Sequence, residues 1–381
     1  MFDIITPEEQ TLTKRQCEAG ELYYDALDGN RRAQRQFAEA LAYSDLPIQL
    51  QPTLEADFLA DWEKRAPVSH RFTKTQIIDR VNQNVEYWDF RIAGEIPDEN
   101  NGERFIGGLP KKLPEQPAPK LSFAGSNKFL RTSVRELGLD IQWETIYNSR
   151  GARVDLIKEA FEEFASRAED SDEVAAVKLL LTSSGINTGV LGTTGHVAVS
   201  GATTNPALTP TTAVQALADA IAQANTHVVN GKQVNFTKFA LVVNPALVPM
   251  IKQALTGMSL TYVPGSSGGV QLQQQVDLGA DLDVVGFSWL KTAFSGSDKY
   301  WFLIPIDGRR KGLVRVKAAG EEDPSFWIKS TGGFIYPNGG DIPVLDGQFT
   351  NETYEAKTRY VVDGGVVDNA GIIYSNGTNA A

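Results

Sequence analysis

Cysteine is almost absent from this sequence, and histidine is scarce. The single cysteine, Cys17, cannot form an intramolecular disulfide or a thiolate cage for a metal ion. The histidines His70, His196 and His227 are scattered, and none has an Asp, Glu or Cys at the spacing that metal motifs use. The fold must therefore be held without disulfides, and we expect neither a metal nor another cofactor.

Long apolar runs and an excess of positive charge are missing as well. No segment approaches the roughly 18 consecutive apolar residues of a membrane span, and residues 1–10 lack the basic and apolar parts of a signal peptide. We therefore expect a soluble product made in the cytoplasm, without a membrane partner. The net charge of −11 disfavours sequence-specific nucleic-acid binding, because such binding depends largely on Lys and Arg neutralising phosphates.

What the sequence does have is a long amphipathic helix, predicted from about Ala152 to Leu181. Its apolar residues keep helical three-and-four spacing, and Asp172 is the one charged residue where that stripe would continue. Helices of globular proteins average about 11 residues, so a helix of this length indicates a spine. No period repeats along the chain, and the fold class is α+β with mixed sheets.

The first seventy residues predict helical segments with little to bury. Thr6, Pro7 and Glu9 have the pattern of a helix start, and Asp28 to Asn30 breaks the helix. A second short helix through Trp62 is ended by Pro67. The segment from Arg31 to Tyr43 is charged and only weakly amphipathic, so it needs something else to pack on, and an arm is favoured over a domain.

Residues 85–146 predict strands instead of helices. Tyr87 to Ile92 and Phe129 to Leu137 are strand-like, and a segment rich in Gly and Pro lies between them. Proline removes donors that a sheet interior needs. We therefore predict a thin two-stranded ribbon that has little core of its own and leans on something outside the subunit.

An α/β module and a long strand follow the spine helix. Thr211 is predicted to cap a helix, Phe239 to Val243 is a buried strand, and Asn244-Pro245 opens a helix through Leu255. The last strand is the clearest, because two sets of residues alternate along it: Tyr354, Ala356, Thr358, Tyr360 and Val362 against Glu355, Lys357, Arg359 and Val361. We expect one face of that strand to be buried and the other to be exposed to solvent.

Several groups could carry chemistry, and each also has a plain structural interpretation. The segment Gly265–Gly269, with Ser267 at its centre, matches the sequence pattern of a hydrolase nucleophile motif. A strand-like segment follows it, however, where the motif needs a helix. The glycines from Gly185 to Gly195 lack the Lys-Ser/Thr of a phosphate loop and indicate a connection. Asp277, Asp281 and Asp283 are expected to cap backbone donors rather than to bind Ca²⁺.

Four short sequence motifs follow one another along the chain: Tyr43 to Pro47, Leu139 to Asn148, Phe239 to Leu247, and Tyr354 to Tyr360 with Asp363 to Asp368. Together with the order of arm, projecting ribbon, spine helix, α/β module and return strand, they resemble major capsid proteins of tailed bacteriophages, of the Hong Kong 97 type. The resemblance covers about residues 40–375. It implies an N-terminal arm at 1–69, an extended β-hairpin loop at 70–148, a peripheral domain with the spine helix at 149–204, an axial domain at 205–310, and peripheral return strands at 311–381.

The resemblance implies a structural protein of the virion rather than an enzyme. Copies of the chain would form hexamers and pentamers of an icosahedral shell that encloses DNA without sequence-specific binding, with portal, scaffolding and decoration proteins as partners. The negative charge would suit such a wall, because it must not stick to packaged DNA. The inter-subunit contact candidates are Trp88, Phe90, Arg104, Phe105, Lys111, Lys112, Arg309, Arg310 and Lys311.

Some alternatives stay open at this point. Arg309 to Lys311 could be a solvated hairpin instead of an inter-subunit contact, and residues 1–40 could act as a built-in scaffold or as a clamp. Some members of the family crosslink a loop lysine to a neighbour's asparagine, for which Asn351 is an acceptor candidate; the lysine candidates are Lys111, Lys112, Lys120 and Lys128. The rival functions are an encapsulin-like compartment shell and a serine hydrolase built around Ser267.

Overall fold

In the computed structural model the chain mixes helices and strands. The described residues are 14–27, 30, 32–33, 36, 59–60, 62, 64–93, 96–97, 104–105, 122–142, 153–193, 195–201, 203–229, 232–256, 258–259, 273–274, 278–292, 297–306, 312–328 and 353–379. The helices are α1 Lys14–Leu27, α2 Arg153–Leu180, α3 Thr188–Leu191, α4 Ala213–Ala224, α5 Val248–Thr256 and α6 Trp289–Thr292.

The strands, in chain order, are β1 Lys74–Ile78, β2 Val85–Ala93, β3 Ile96–Pro97, β4 Arg104–Phe105, β5 Ser122–Leu130, β6 Val134–Gln142, β7 Leu181–Thr182, β8 Gly185–Ile186, β9 Val199–Ser200, β10 Thr203–Thr204, β11 Val228–Val229, β12 Lys232–Gln233, β13 Lys238–Val243, β14 Met258–Ser259, β15 Gln273–Gln274, β16 Asp281–Gly286, β17 Trp301–Pro305, β18 Leu313–Ala318, β19 Ser325–Ile328, β20 Thr353–Val366 and β21 Ile373–Ser375. The chain divides into two compact units. The first comprises Met1–Ala66, Val134–Ser171 and Gly320–Val361, and the second comprises Pro67–Ser133, Asp172–Ala319 and Val362–Ala381.

In the first unit, β20 is flanked by β6 and β19, and both pairings are antiparallel. Ala356, Thr358 and Tyr360 are buried while Lys357 is exposed, so the predicted alternation along the last strand is confirmed there. The ring of Phe164 in α2 packs against Phe326 of β19 at 5.9 Å. Phe164 of α2 therefore packs against the buried Phe326 of this sheet.

The N-terminal helix α1 also belongs to the first unit. Its Tyr23 and Ala26 are each only 1% exposed in the isolated chain. The chain itself therefore buries these side chains of α1, while the segment Arg31 to Tyr43, which is predicted to need something else to pack on, lies mostly outside the described residues. Residues 1–13 and the helix start predicted at Thr6 lie outside the described residues.

The second unit is built on the four-stranded sheet β16-β13-β17-β21, in which only β13 and β16 are parallel. Phe239, Leu241 and Val243 of β13 join a cluster with α4 and α5. Ala240 and Val242 join a second cluster with the C-terminal end of α2. Both faces of β13 are covered, which explains why its sequence is a continuous apolar run without alternation.

The helix predicted to begin at Pro245 differs in its first turn. Asn244 accepts a hydrogen bond from the backbone nitrogen of Ala246 at 3.0 Å, and a 3₁₀ turn at Pro245–Leu247 precedes α5. Pro249 is tolerated because α5 begins at Val248, so the proline stands in the first turn, where its missing N–H has no helical acceptor. Helix α4 likewise begins one residue later than predicted, with Thr212 at its N-cap.

The strand predicted from Phe129 to Leu137 is wrong, because the chain turns within it. Strand β5 ends at Leu130 and β6 begins at Val134. Between them, the hydroxyl of Thr132 donates to the carbonyl of Arg80 and accepts from the backbone nitrogen of Asn82, each at 3.2 Å. This buried threonine anchors the turn, and sequence periodicity alone does not report such a long-range bond.

Two glycines allow close packing where β20 continues into the second unit and pairs with β18. A Cβ atom on Gly364 would lie 2.6 Å from the carbonyl oxygen of Ala175 and 2.8 Å from Leu179 Cγ in α2. A Cβ on Gly365 would lie 2.6 Å from Leu130 Cδ2. Helix α2 and the end of β5 therefore both press on this short stretch of strand.

The substitution Gly364→Ala should lower the free energy of unfolding by about 1–3 kcal/mol, because backbone atoms in the way cannot move aside cheaply. Urea denaturation of the subunit measures this change. The matched control is Gly138→Ala in β6, where the nearest atom would be Ala356 O at 3.9 Å. Equal stability of the two variants would contradict the close approach of β20 and α2.

Candidate functional site

The predicted contact residues fall on two strands or outside the described residues. Trp88 and Phe90 lie in β2, and Arg104 and Phe105 form β4, which pairs with β3. The remaining candidates lie outside the described residues: Lys111, Lys112, Arg309, Arg310 and Lys311. Their roles as contacts stay predictions.

Strands β2 and β5 form an antiparallel two-stranded ribbon. Its register pairs Glu86 with Phe129 and continues without interruption to Ala93 and Ser122. Opposed residues, and every second residue along each strand, share one face of such a pair. In this register Trp88, Phe90, Ile92 and Phe123 alternate in step with Phe129 along the two strands, and all five residues are large and apolar.

The other face of the ribbon is anchored at its base. Leu130 is 1% exposed and packs in a cluster with Val314, Val316 and Val367, with Val85 and Tyr87 partly buried against it. Phe129, the next residue along the strand, is 59% exposed. At its base the ribbon is therefore fixed to its own unit through Leu130, while the side chain of Phe129 is open to solvent.

Phe129 was not among the residues predicted as contacts. It was missed because residues from Phe129 to Leu137 were predicted as one strand. Phe129 belongs instead to β5, and its place in the alternation of that strand was therefore not recognised. The signal that could have found it is the pairing of an aromatic-rich strand at Tyr87 to Ile92 with a second strand that has Phe123 and Phe129 at even spacing.

A second group of residues forms a buried charged cluster in the second unit. Asp172 of α2 is completely buried, and its Oδ2 lies 3.5 Å from Arg315 NH1 of β18, whose side chain is 5% exposed. The same oxygen lies 3.5 Å from His70 Nε2. Arg315 also donates to the hydroxyls of Thr73 at 3.1 Å and Thr75 at 2.8 Å.

The surroundings of Asp172 keep it ionised. Burial alone would raise the pKa of Asp172, but the hydrogen bond with His70 and the positive charges of Arg315 and Lys317 outweigh burial and lower the pKa. Asp172, which interrupts the apolar stripe in the sequence, thus ties α2 to β18 and to the turn at Val68–Arg71.

The other sequence candidates are placed as follows. Asp281 and Asp283 form ion pairs with Lys238 and Arg71 respectively, while Ser267 and Asp277 lie outside the described residues. Within the described ranges, no three His, Cys, Asp or Glu side chains are grouped as a metal site. None of the helices in those ranges is both long and apolar enough to cross a membrane.

Comparisons with known proteins identify a family. A family model described as "phage capsid protein" matches residues 130–375, more than half of the chain. No curated protein sequence matches the chain. Among solved structures, the chain is similar to the capsid of Myoviridae phage XM1, with 12% identity over 81% of this chain and 91% of that chain and a TM-score of 0.49.

Two further similarities have lower TM-scores. The mature capsid of bacteriophage PhiM1 has 11% identity over 82% of this chain and 87% of that chain, with a TM-score of 0.43. An encapsulin complex from Synechococcus elongatus has 12% identity over 84% of this chain and 91% of that chain, with a TM-score of 0.42.

Proposed function

This chain belongs to the phage capsid protein family, and from this membership we propose that it is the major shell subunit of a tailed-phage head. In this proposal, copies of the chain form hexamers and pentamers that close into an icosahedral shell around double-stranded DNA. Head-to-tail contacts between identical subunits close into rings when the rotation between them permits. The net charge of −11 supports enclosure of DNA without specific binding, because like charges repel across the inner surface.

The exposed Phe129 in the β2–β5 ribbon is the observation that supports assembly most directly. An isolated two-stranded ribbon is only marginally stable in water, and a contiguous exposed apolar patch marks an interaction site. Burying one large aromatic ring stabilises a contact by about 1.5–3 kcal/mol. The partner in this proposal is a neighbouring copy of the chain, which would cover Phe129 together with Trp88 and Phe90.

The finer parts of the proposal follow the family's architecture. Residues 1–69 would be the N-terminal arm, 70–148 the extended loop that contains the ribbon, and 205–310 the axial domain around the capsomer symmetry axes. The basic residues are proposed as polar contacts with neighbouring subunits: Arg104, Lys111, Lys112, Arg309, Arg310 and Lys311. Portal, scaffolding and decoration proteins would complete the head.

Assembly of the purified full-length protein tests the proposal. Sedimentation velocity and negative-stain microscopy should reveal capsomers or closed shells at micromolar concentration, because many weak contacts add up in a closed array. Shells that co-purify with a captured enzyme would favour a compartment instead of a genome container. A stable monomer that does not associate under varied salt and crowding conditions would contradict the shell function altogether.

A further inference from the structure

Strand β1 (Lys74–Ile78) lies at the end of its sheet. On one side it pairs in parallel with β18, from Lys74 opposite Val314 to Ile78 opposite Ala318. On the other side, the sheet order β1-β18-β20-β19 gives it no strand partner among the described residues. Residues 64–93 are described without a gap, so both β1 and the segments next to it in sequence are defined.

One hydrogen bond shows which way each backbone group of β1 points. The backbone nitrogen of Ala319 donates to the carbonyl of Ile78 at 2.8 Å, so Ile78 directs its peptide groups at β18. Successive residues of a strand direct these groups to opposite sides, so Thr75 and Ile77 direct theirs away from β18. In the described part of the chain, the only partner of these outward groups is Gln76 Nε2, which donates to the carbonyl of Ile77 at 3.3 Å.

The outer edge of β1 lacks the features that prevent pairing with another strand. Such features include charged side chains, proline and bulges. Strand β16, at the end of the four-stranded sheet, has Asp281 and Asp283. Strand β1 has no charged residue after Lys74, and the side chain of Ile77 is 44% exposed. This edge is therefore suited to accept a further strand.

We propose that β1 pairs antiparallel with β1 of a second copy of the chain, about a two-fold axis at Gln76. In this register Thr75 lies opposite the partner's Ile77, and Ile77 lies opposite the partner's Thr75. Outward-facing residues that oppose each other exchange two backbone hydrogen bonds, so the two pairs form two bonds each. The carbonyl of Ile77 thereby exchanges the amide of Gln76 for a backbone N–H of the second copy.

Charge favours this register over the neighbouring symmetric one. With the axis at Gln76, Lys74 lies opposite the partner's Ile78, and no like charges are opposed anywhere between residues 73 and 79. With the axis at Ile77, Lys74 would lie opposite the partner's Arg80, and like charges directly opposite each other destabilise a strand pair. The five residues of β1 thus complement themselves, which identifies a second copy as the partner.

This contact goes beyond the proposed ring contacts. It is isologous, because the same surface is used by both copies, and it closes after two subunits instead of continuing into a filament. In a shell it would join subunits across a two-fold axis. It needs only two copies and does not involve Phe129, so it can fail while the proposed shell function holds.

Oxidative crosslinking of the full-length protein at micromolar concentration tests the contact, in a Cys17→Ala background. The Cα atoms of a non-hydrogen-bonded antiparallel pair lie about 4.5 Å apart, which a disulfide can span. Gln76→Cys faces itself across the axis, so its band should shift to the mass of a dimer on a non-reducing denaturing gel. The matched control is Ile77→Cys at a more exposed position, whose Cα lies more than about 7 Å from its copy in this register. It should stay monomeric.

A substitution at Ile77 removes part of the contact without touching the pairing with β18. Ile77→Pro deletes an N–H that points away from β18, and proline is tolerated at such an edge position. Each copy then loses one hydrogen bond, and each lost bond weakens association by about fivefold. Added to Gln76→Cys, Ile77→Pro should slow crosslinking by roughly twentyfold, whereas Ile77→Val keeps the N–H and should keep the rate. Circular dichroism melting shows that each variant is folded.

The contact is refuted if Gln76→Cys gives no dimer, if it crosslinks no better than Ile77→Cys, or if Ile77→Pro leaves its rate unchanged. Microscopy of the same Gln76→Cys sample separates this failure from that of the shell. Normal shells without the crosslink would leave the shell function intact, while a protein that stays monomeric throughout would count against both.

Discussion

Replacing Phe129 with aspartate should abolish assembly of the shell while the subunit remains folded. The side chain is 59% exposed in the isolated chain, and substitutions at exposed positions change folding stability by only about 0.5 kcal/mol. In a covered contact between subunits, by contrast, a carboxylate would have to be desolvated without a partner, which costs several kcal/mol. A loss of about 3 kcal/mol for each contact raises the concentration needed for association roughly a hundredfold.

The conservative change Phe129→Leu is the matched control. Leucine keeps most of the apolar area, so Phe129→Leu should assemble close to the wild-type concentration. Sedimentation velocity measures assembly, and circular dichroism melting of the unassembled subunit shows that each variant is folded. Normal shells from folded Phe129→Asp protein would show that the apolar face of the ribbon is not a subunit contact.

The second large effect is expected at the buried charged cluster. Asp172→Ala should lower the free energy of unfolding by about 3–5 kcal/mol, because it leaves the guanidinium of Arg315 buried without its carboxylate. Urea denaturation of the subunit measures the loss. The control is Asp170→Ala on the same helix, where the partly exposed pair with Arg167 should contribute less than about 1 kcal/mol.

The pH dependence of this cluster has a defined sign. A carboxyl group whose pKa is lowered on folding contributes stability that is present above its unfolded pKa and is lost as pH falls through the folded value. The difference between wild type and Asp172→Asn should therefore be constant above about pH 5 and shrink only in stronger acid, below the ordinary Asp value of 3.8. A difference that already shrinks at pH 6 would show that Asp172 is not the group responsible.

Local patterns were sufficient for several elements. The predicted helix at Ala152–Leu181 is α2 at Arg153–Leu180, the buried strand at Phe239–Val243 is β13, and the alternation after Tyr354 belongs to β20. In each case the element buries a defined stripe or face, so the spacing of its apolar residues along the sequence identifies the type of element. The first residues of the helices were predicted less accurately, because caps such as Asn244 and Thr212 act over only one or two residues.

Non-local features could not be obtained in this way. Strand β21 joins the central sheet beside β17, although its three residues have no distinctive pattern. Asp172 looked like an interruption of an apolar stripe, since its partners Arg315 and His70 are more than a hundred positions away in sequence. The same holds for His196 and His227, which looked scattered and lie with their rings in contact.

The sequence by itself determined the class of the protein: a chain without disulfides, of mixed helices and strands, whose ordered segments resemble a capsid family to which it belongs. Composition and periodicity suffice for that, because they report which side of each element avoids water. Only the tertiary structure decided that Phe129 of the ribbon is exposed, that Asp172 of α2 pairs with Arg315, and that the rings of His196 and His227 are in contact. Those properties depend on strand register and on contacts between distant residues, and neither is encoded in any single stretch of the chain.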